Sequence, residues 1–288
     1  MATSYTRKSI RVVVDLGNGY VKTIEGLAVK AQISKLGLPD KNKASLSIKG
    51  LSYDDMAALT TISYGPLRMR RNAISVYAGE EGTTLPLVFK GNITRAWADF
   101  NTAPDVTMKF ECMTGGFMSL MPQGPIAASG DAKAADMVGT FAKQAGFSFT
   151  NQGVDASVSN AVFSGSPVEK AVAVSQQVGA DLIIDDDSMI LLKKGDVRRN
   201  SGTVVISAET GMIGYPTFTN NGIQVKCFFN PAVQRGGLID IQTIVPKASG
   251  QWRAVKIDHN ITAFDPSGGP WETSIEGVHG SRWLAANI

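Results

Sequence analysis

Apolar and polar positions alternate through the first hundred residues. Leu27–Ile33 (LAVKAQI), Ala44–Gly50 (ASLSIKG), Ala73–Gly79 (AISVYAG) and Val106–Cys112 (VTMKFEC) each follow a period of two. That period gives a strand one buried and one open face. The alternation fits an antiparallel barrel or sandwich better than a parallel sheet buried on both sides. One short helix interrupts the strands. Ser52 with Asp55 three residues on has the form of a capping box, and Met56, Leu59 and Ile62 follow at helical spacing.

The pattern changes after Gly115. GGFMSLMPQGPIAASG is a turn-rich connector. Asp131–Gly146 then predicts a helix with Ala134, Met137, Val138, Phe141 and Ala145 on one face and Gly146 as its stop. A second helix carries Ser166 as N-cap, Pro167 in its first turn, Glu169 completing a capping box and Gly179 at the end. Both helices lead into apolar segments, so the two units form a loose internal repeat. Leu182–Gly195 (LIIDDDSMILLKKG) predicts a hairpin around a polar turn.

Beyond Arg198-Arg199-Asn200-Ser201-Gly202 the alternation returns. GIQVKCFFN places Ile223, Val225, Cys227 and Phe229 on one face, and a turn at Arg235-Gly236-Gly237 precedes LIDIQTIV. QWRAVKIDHNI and PWETSIEGV predict two last strands joined by AFDPSGG. The expected fold class is mainly β with an α/β insert. Residues 1–113 form one β domain, 114–200 the insert and 201–288 a second β domain.

Composition narrows the function classes. The 288 residues are 43% hydrophobic and 18% charged, enough apolar material for a core, and 30 glycines fit many short strands and turns. A net charge of +3 is too small to argue for nucleic-acid or membrane binding. No apolar run reaches the length of a membrane-spanning helix. The N-terminal MATSYTRKSIR has no apolar stretch of the signal-peptide kind. Cys112 and Cys227 lie in strand patterns without metal spacing and read as small buried apolar residues.

Few segments offer chemistry. VVVDLGNGYVK (Val12–Lys22) has an aspartate at a strand end, glycines and a lysine, as a phosphate loop does. A nucleotide clamp would need a second such loop, and LIIDDDSMI offers three carboxylates and no glycine there. Asn18-Gly19 between alternating strands is by itself a hairpin signal. Asp185–Asp187 lack calcium-loop spacing and read as a solvated turn. His259 and His279 belong to no nucleophile elbow and no zinc spacing. Arg68-Met69-Arg70-Arg71 reads as a solvated loop or a protein contact. Glu80-Glu81 are adjacent in a turn, a poor geometry for a glycosidase carboxylate pair. No catalytic, cofactor or metal residue is assigned.

The last third is the most specific. Tyr215-Pro216, Asn230-Pro231, Gly236-Gly237, Trp252 with His259, and Trp271 with Thr273 stand in the order found in the second tube-like domain of baseplate hub proteins from contractile-tailed bacteriophages. Gly202–Gln242 and Gln251–Val278 resemble that domain, with Ala254 where valine is expected. GLAVKAQISK, LSIKGLS, ISVYAGEEG and LVFKGNITRAWADF more generally resemble the first. The resemblance implies two tube-like antiparallel β-barrel modules and a structural virion protein without catalysis or cofactor. It implies a homotrimer that joins the six-fold tail tube to the three-fold central spike, contacts other baseplate proteins and lets DNA pass through its lumen. It implies no membrane insertion and a place in the virion tail baseplate, after synthesis in the host cytoplasm. DLGNG is then a hairpin turn and Lys22 an exposed strand residue. Another tail protein, such as a tube or distal-tail subunit, a carbohydrate-binding or hydrolytic tail component, and, more distantly, an actin-like nucleotide-binding protein remain the alternatives.

Overall fold

The computed structural model describes residues 6–38, 40–60, 72–101, 103–116, 123–127, 130–159, 162–199 and 201–279. The chain divides into two compact units. One comprises Met1–Ser34, Lys43–Phe117 and His259–Glu272; the other comprises Lys35–Asn42, Met118–Asp258 and Thr273–Ile288.

The first unit is built on β1 (Lys8–Asp15), β2 (Val21–Ile24), β3 (Ala28–Lys35), β4 (Lys43–Lys49), α1 (Tyr53–Leu59), β5 (Ala73–Glu80), β6 (Leu87–Asp99) and β7 (Thr107–Met113). Its strands run in the order β3-β4-β7-β6-β5-β1-β2, and every pairing among them is antiparallel. Period-two alternation has the expected consequence. Val29, Ala31 and Ile33 are buried, as are Leu46 and Ile48, Ile74 and Val76, and Met108, Phe110 and Cys112, while the residues between them are more exposed.

Helix α1 starts where the sequence places it. The Ser52 hydroxyl accepts from Asp55 N–H, and Met56 and Leu59 are buried. Ile62 lies outside the described residues. The turn after β1 is a tight hairpin. Gly17 N–H donates to Asp15 Oδ1 (2.8 Å), Tyr20 N–H to Asn18 Oδ1 (3.0 Å) and Leu16 N–H to the Tyr20 carbonyl (3.1 Å). Gly19 has φ of 88°, a value that favours glycine.

The second unit contains β8 (Gln123–Ala127), β9 (Asp131–Lys133), α2 (Ala134–Gln144), β10 (Ser148–Gln152), β11 (Ser157–Ser159), β12 (Val162–Gly165), α3 (Pro167–Gln177), β13 (Ala180–Asp185) and β14 (Ser188–Lys193). It continues with β15 (Thr203–Ser207), β16 (Met212–Thr219), β17 (Gly222–Phe228) and β18 (Leu238–Gln242). Strands β19 (Gly250–Ala263) and β20 (Trp271–Val278) contribute residues 250–258 and 273–278 to this unit. Helix α2 closes as Gly146 foretells. Gly146 N–H donates to the Lys143 carbonyl and Phe147 N–H to that of Ala142, the paired bonds of a left-handed glycine stop. Helix α3 has its full capping box between Ser166 and Glu169, with Pro167 in the first turn. The inner faces of α2 and α3 pack with β13 and β14 in one core that includes Val138, Phe141, Val168, Ala171, Val174, Leu182, Met189 and Leu191. A second core gathers Ile206, Ile223, Val225, Cys227, Ile239, Trp252, Ile257 and Ile275.

One point corrects the sequence-based expectation. Pairing in the second β part is not all antiparallel, because β15 with β18 is parallel; in the insert β10 with β14 is parallel as well. Among the described residues no closed barrel is found. The molecule is mainly β with a large antiparallel sheet component and helices confined to short segments.

Candidate functional site: an uncovered sheet edge

The residues singled out by sequence fall at separate places. Lys22 is half-buried rather than exposed. Its ammonium sits 2.9 Å from the Asp55 carboxylate, to which the Tyr20 hydroxyl also donates (3.0 Å). Hydrogen bonding to Asp55 holds the Lys22 ammonium above its ordinary range, and bonds from Lys22, then Ser52, hold the Asp55 carboxyl below its own. The lysine thus pins the first hairpin to α1.

Asp185 contradicts the solvated-turn reading. The hairpin itself is present, with Asp185 opposite Ser188 and Asp186 at φ of 50°. But Asp185 is buried at 5% exposure. Lys35 Nζ lies 3.0 Å from its Oδ1 and Arg198 Nη1 3.1 Å from its Oδ2, while Asn42 Nδ2 donates to Oδ1 at 3.2 Å. Lys35 also reaches Asp186 at 3.3 Å. Burial alone would raise the Asp185 carboxyl, but Lys35 and then Arg198 outweigh it and hold it below the usual carboxylate range. This network fastens loop 35–42 to the hairpin.

Cys112 and Cys227 are free thiols at 3% exposure each, and burial pushes the Cys227 thiol up to about 11. His259 is buried in β19. His279 is exposed and stacks on Trp252, with ring centroids 3.8 Å apart. Glu80 and Glu81 are exposed. The run 68–71 lies outside the described residues. Among the described residues no group of three or more His, Cys, Asp and Glu side chains is placed to hold a metal. Among the described residues no helix is long and apolar enough to cross a membrane.

The C-terminal motif residues come together structurally. The Thr273 hydroxyl accepts from Asn230 N–H (3.1 Å), and the Trp252 indole donates to the Ala248 carbonyl (3.0 Å). Ala254 is fully buried in the same core. Thr273 thus ties β20 to the segment that follows β17, and Trp252 ties the start of β19 to the turn before it.

One surface feature escaped the sequence. Among the described residues strand β16 is the last of its sheet and pairs with β17 alone. Ile213, Tyr215 and Phe218 on β16 and Phe228 on β17 are 37%, 66%, 55% and 63% exposed. Ile213 pairs with Lys226 on the outer face, but Phe218 pairs with the buried Ile223 and so lies on the core-facing side, uncovered. Pro216, which cannot donate to a ladder, sits in the irregular stretch between Ile213 and Thr217. An edge strand with open backbone groups and several exposed aromatic rings is a surface suited to protein association. The alternation in GMIGYPTFT gave no warning, because Gly214 and Pro216 break the period.

Solved structures share the fold. A 43 kDa tail protein of prophage MuSo2 from Shewanella oneidensis superposes with a TM-score of 0.62 at 10% identity, covering 94% of this chain and 98% of its own. A tail protein from Neisseria meningitidis MC58 gives 0.64 at 9%, covering 95% and 98%. The Escherichia coli c3393 protein, a type VI secretion component described as similar to the T4 tail proteins gp27 and gp5, gives 0.60 at 8%, covering 93% and 77%. The fold is that of phage tail proteins. At the level of sequence, the family model for baseplate hub gp41 matches residues 9–267, and the chain belongs to that family. No curated protein matches the chain by sequence.

Proposed function

We propose that the protein is the hub subunit that joins the six-fold tail tube to the three-fold central spike, as a homotrimer whose lumen lets DNA pass. The observation that carries this reading is the baseplate-hub family match over residues 9–267. Two β-rich parts in one chain, at 1–113 and 201–288 around an insert, would present similar surfaces twice, so three copies would offer six to a tube and three to a spike. The uncovered β16 edge supports assembly through strand pairing and aromatic burial. The likeness to a type VI component compared with T4 gp27 and gp5 favours spike and tube proteins as partners. On this reading the protein works without chemical turnover, in the virion tail baseplate.

The test is the mass and symmetry of the purified protein by light scattering and negative-stain imaging, alone and after co-expression with tube and spike proteins. A three-fold ring with a central hole is the expected result. A protein that stays monomeric even with both partners present would overturn the reading.

A further inference from the structure

In the second unit a cavity of about 270 Å³ is walled by Gly37 and Leu38, the last turn of α3, the start of β13, Arg235-Gly236 and residues 253–255 of β19. Its charges do not balance. Four cations, Lys35, Arg198, Arg235 and Arg253, stand near three carboxylates, Asp181, Asp185 and Asp186. Lys35 and Arg198 take Asp185 and Asp186, and Arg253 Nη2 takes Asp181 at 2.8 Å. Asp181 also accepts from Gly195 N–H at 3.2 Å. Arg235 lines the cavity and makes no hydrogen bond or salt bridge to these carboxylates among the described residues, although it feels the attraction of Asp185 and Asp181. Arg253 Nε is buried with no hydrogen-bond partner. Burial, then repulsion from Arg253, outweighs that attraction and pushes the Arg235 guanidinium down to about 10.

The backbone next to Arg235 is fixed against β19. Gly236 has φ of 78°, Gly236 N–H donates to the Ala254 carbonyl (2.7 Å) and Ala254 N–H donates to the Gly237 carbonyl (2.9 Å). A Cβ at Gly37 would stand 3.2 Å from Arg235 Nη2, so glycine there leaves the space the guanidinium occupies. Capping the end of α3 does not explain Arg235. The Val174 and Gln176 carbonyls already accept from Val178 N–H and Gly179 N–H.

We propose that this cavity binds a small oxyanion, carboxylate or phosphate in size, with the Arg235 fork as main donor and Arg253 Nε as second donor. The planar fork matches two oxygens of either group. Asp185 and Asp181 are engaged by Lys35, Arg198 and Arg253, so an anion in the cavity would give Arg235 the direct partner that a desolvated cation favours. The inference is independent of the hub reading and stands or falls separately.

Thermal unfolding of the full chain tests it, in chloride, phosphate or acetate at matched ionic strength. The wild-type midpoint is expected to rise in phosphate or acetate relative to chloride, and to keep rising with the logarithm of anion concentration once the site is filled. Comparison of phosphate with acetate assigns the group. Arg235→Gln is expected to lose the rise and to be no less stable than wild type in chloride, while the exposed control Lys247→Gln keeps the rise. A rise that Arg235→Gln shares, or an Arg235→Gln chain much weaker in chloride, overturns the proposal. Phosphorus NMR linewidths of inorganic phosphate with wild type need no variant. Saturable broadening that acetate competes away and matched chloride does not supports the site, and an unbroadened line together with no acetate-specific thermal rise refutes it.

Discussion

Lys35 and Asp185 show how much can rest on one buried pair. Both side chains are almost fully enclosed, and each is the other's main compensation for leaving water. Lys35→Met would leave Asp185 with Arg198 and Asn42 alone, at an expected cost of about 3–5 kcal/mol, measured by urea unfolding. The pH dependence follows from the direction of the carboxyl shift. Asp185 folded lies below its unfolded value of about 3.9, so its contribution is present above that pH and lost as pH falls through the folded value. Asp185→Asn is therefore expected to have a flatter stability–pH curve below pH ~4 than wild type. An unchanged slope would remove Asp185 from the acid response. The sequence did not reveal this network because Lys35 and Asp185 stand 150 positions apart. A run of three aspartates in a hairpin looks solvated until the cations that cover it are placed.

At the scale of elements, local chemistry was legible and pairing direction was not. The caps of α1 and α3, the glycine stop of α2 and the DLGNG turn were read from short-range signals, because their hydrogen bonds span only a few residues. Ser166→Ala removes the α3 hydroxyl cap and is expected to cost about 1 kcal/mol. Its midpoint in urea should fall without a change in slope. The parallel pairings β10–β14 and β15–β18 were missed, since alternation states which side chains face inward but not which strand lies alongside or in which sense. The β16 edge was missed for a related reason. Its exposure depends on the absence of a further strand beside it among the described residues, a fact of topology.

For the whole molecule the testable quantity is assembly. If the β16 edge is an interface, Phe218→Glu should leave the monomer folded, since the side chain is already 55% exposed, yet strongly weaken self-association. Sedimentation velocity, with circular dichroism as the folding control, decides this; assembly equal to wild type would clear the edge of that role. ATP is expected to change neither mass nor shape. The first hairpin's lysine is held by Asp55, and the turn's polar side chains are occupied by the turn's own N–H groups. An ATP-dependent filament or mass change would restore the phosphate-loop reading of Val12–Lys22.

The sequence by itself determined the strand faces, the helix ends, the first hairpin and the family resemblance, all of which depend on residue order over short spans or on a motif. Only the tertiary structure decided that Asp185 is buried and paired, that Lys22 binds α1, that β16 is left uncovered among the described residues and that Arg235 lines a cavity. The physical reason is the same in each case. Burial and electrostatic partnership depend on which distant segments the fold brings within a few ångströms, and alternation along the chain carries no information about that.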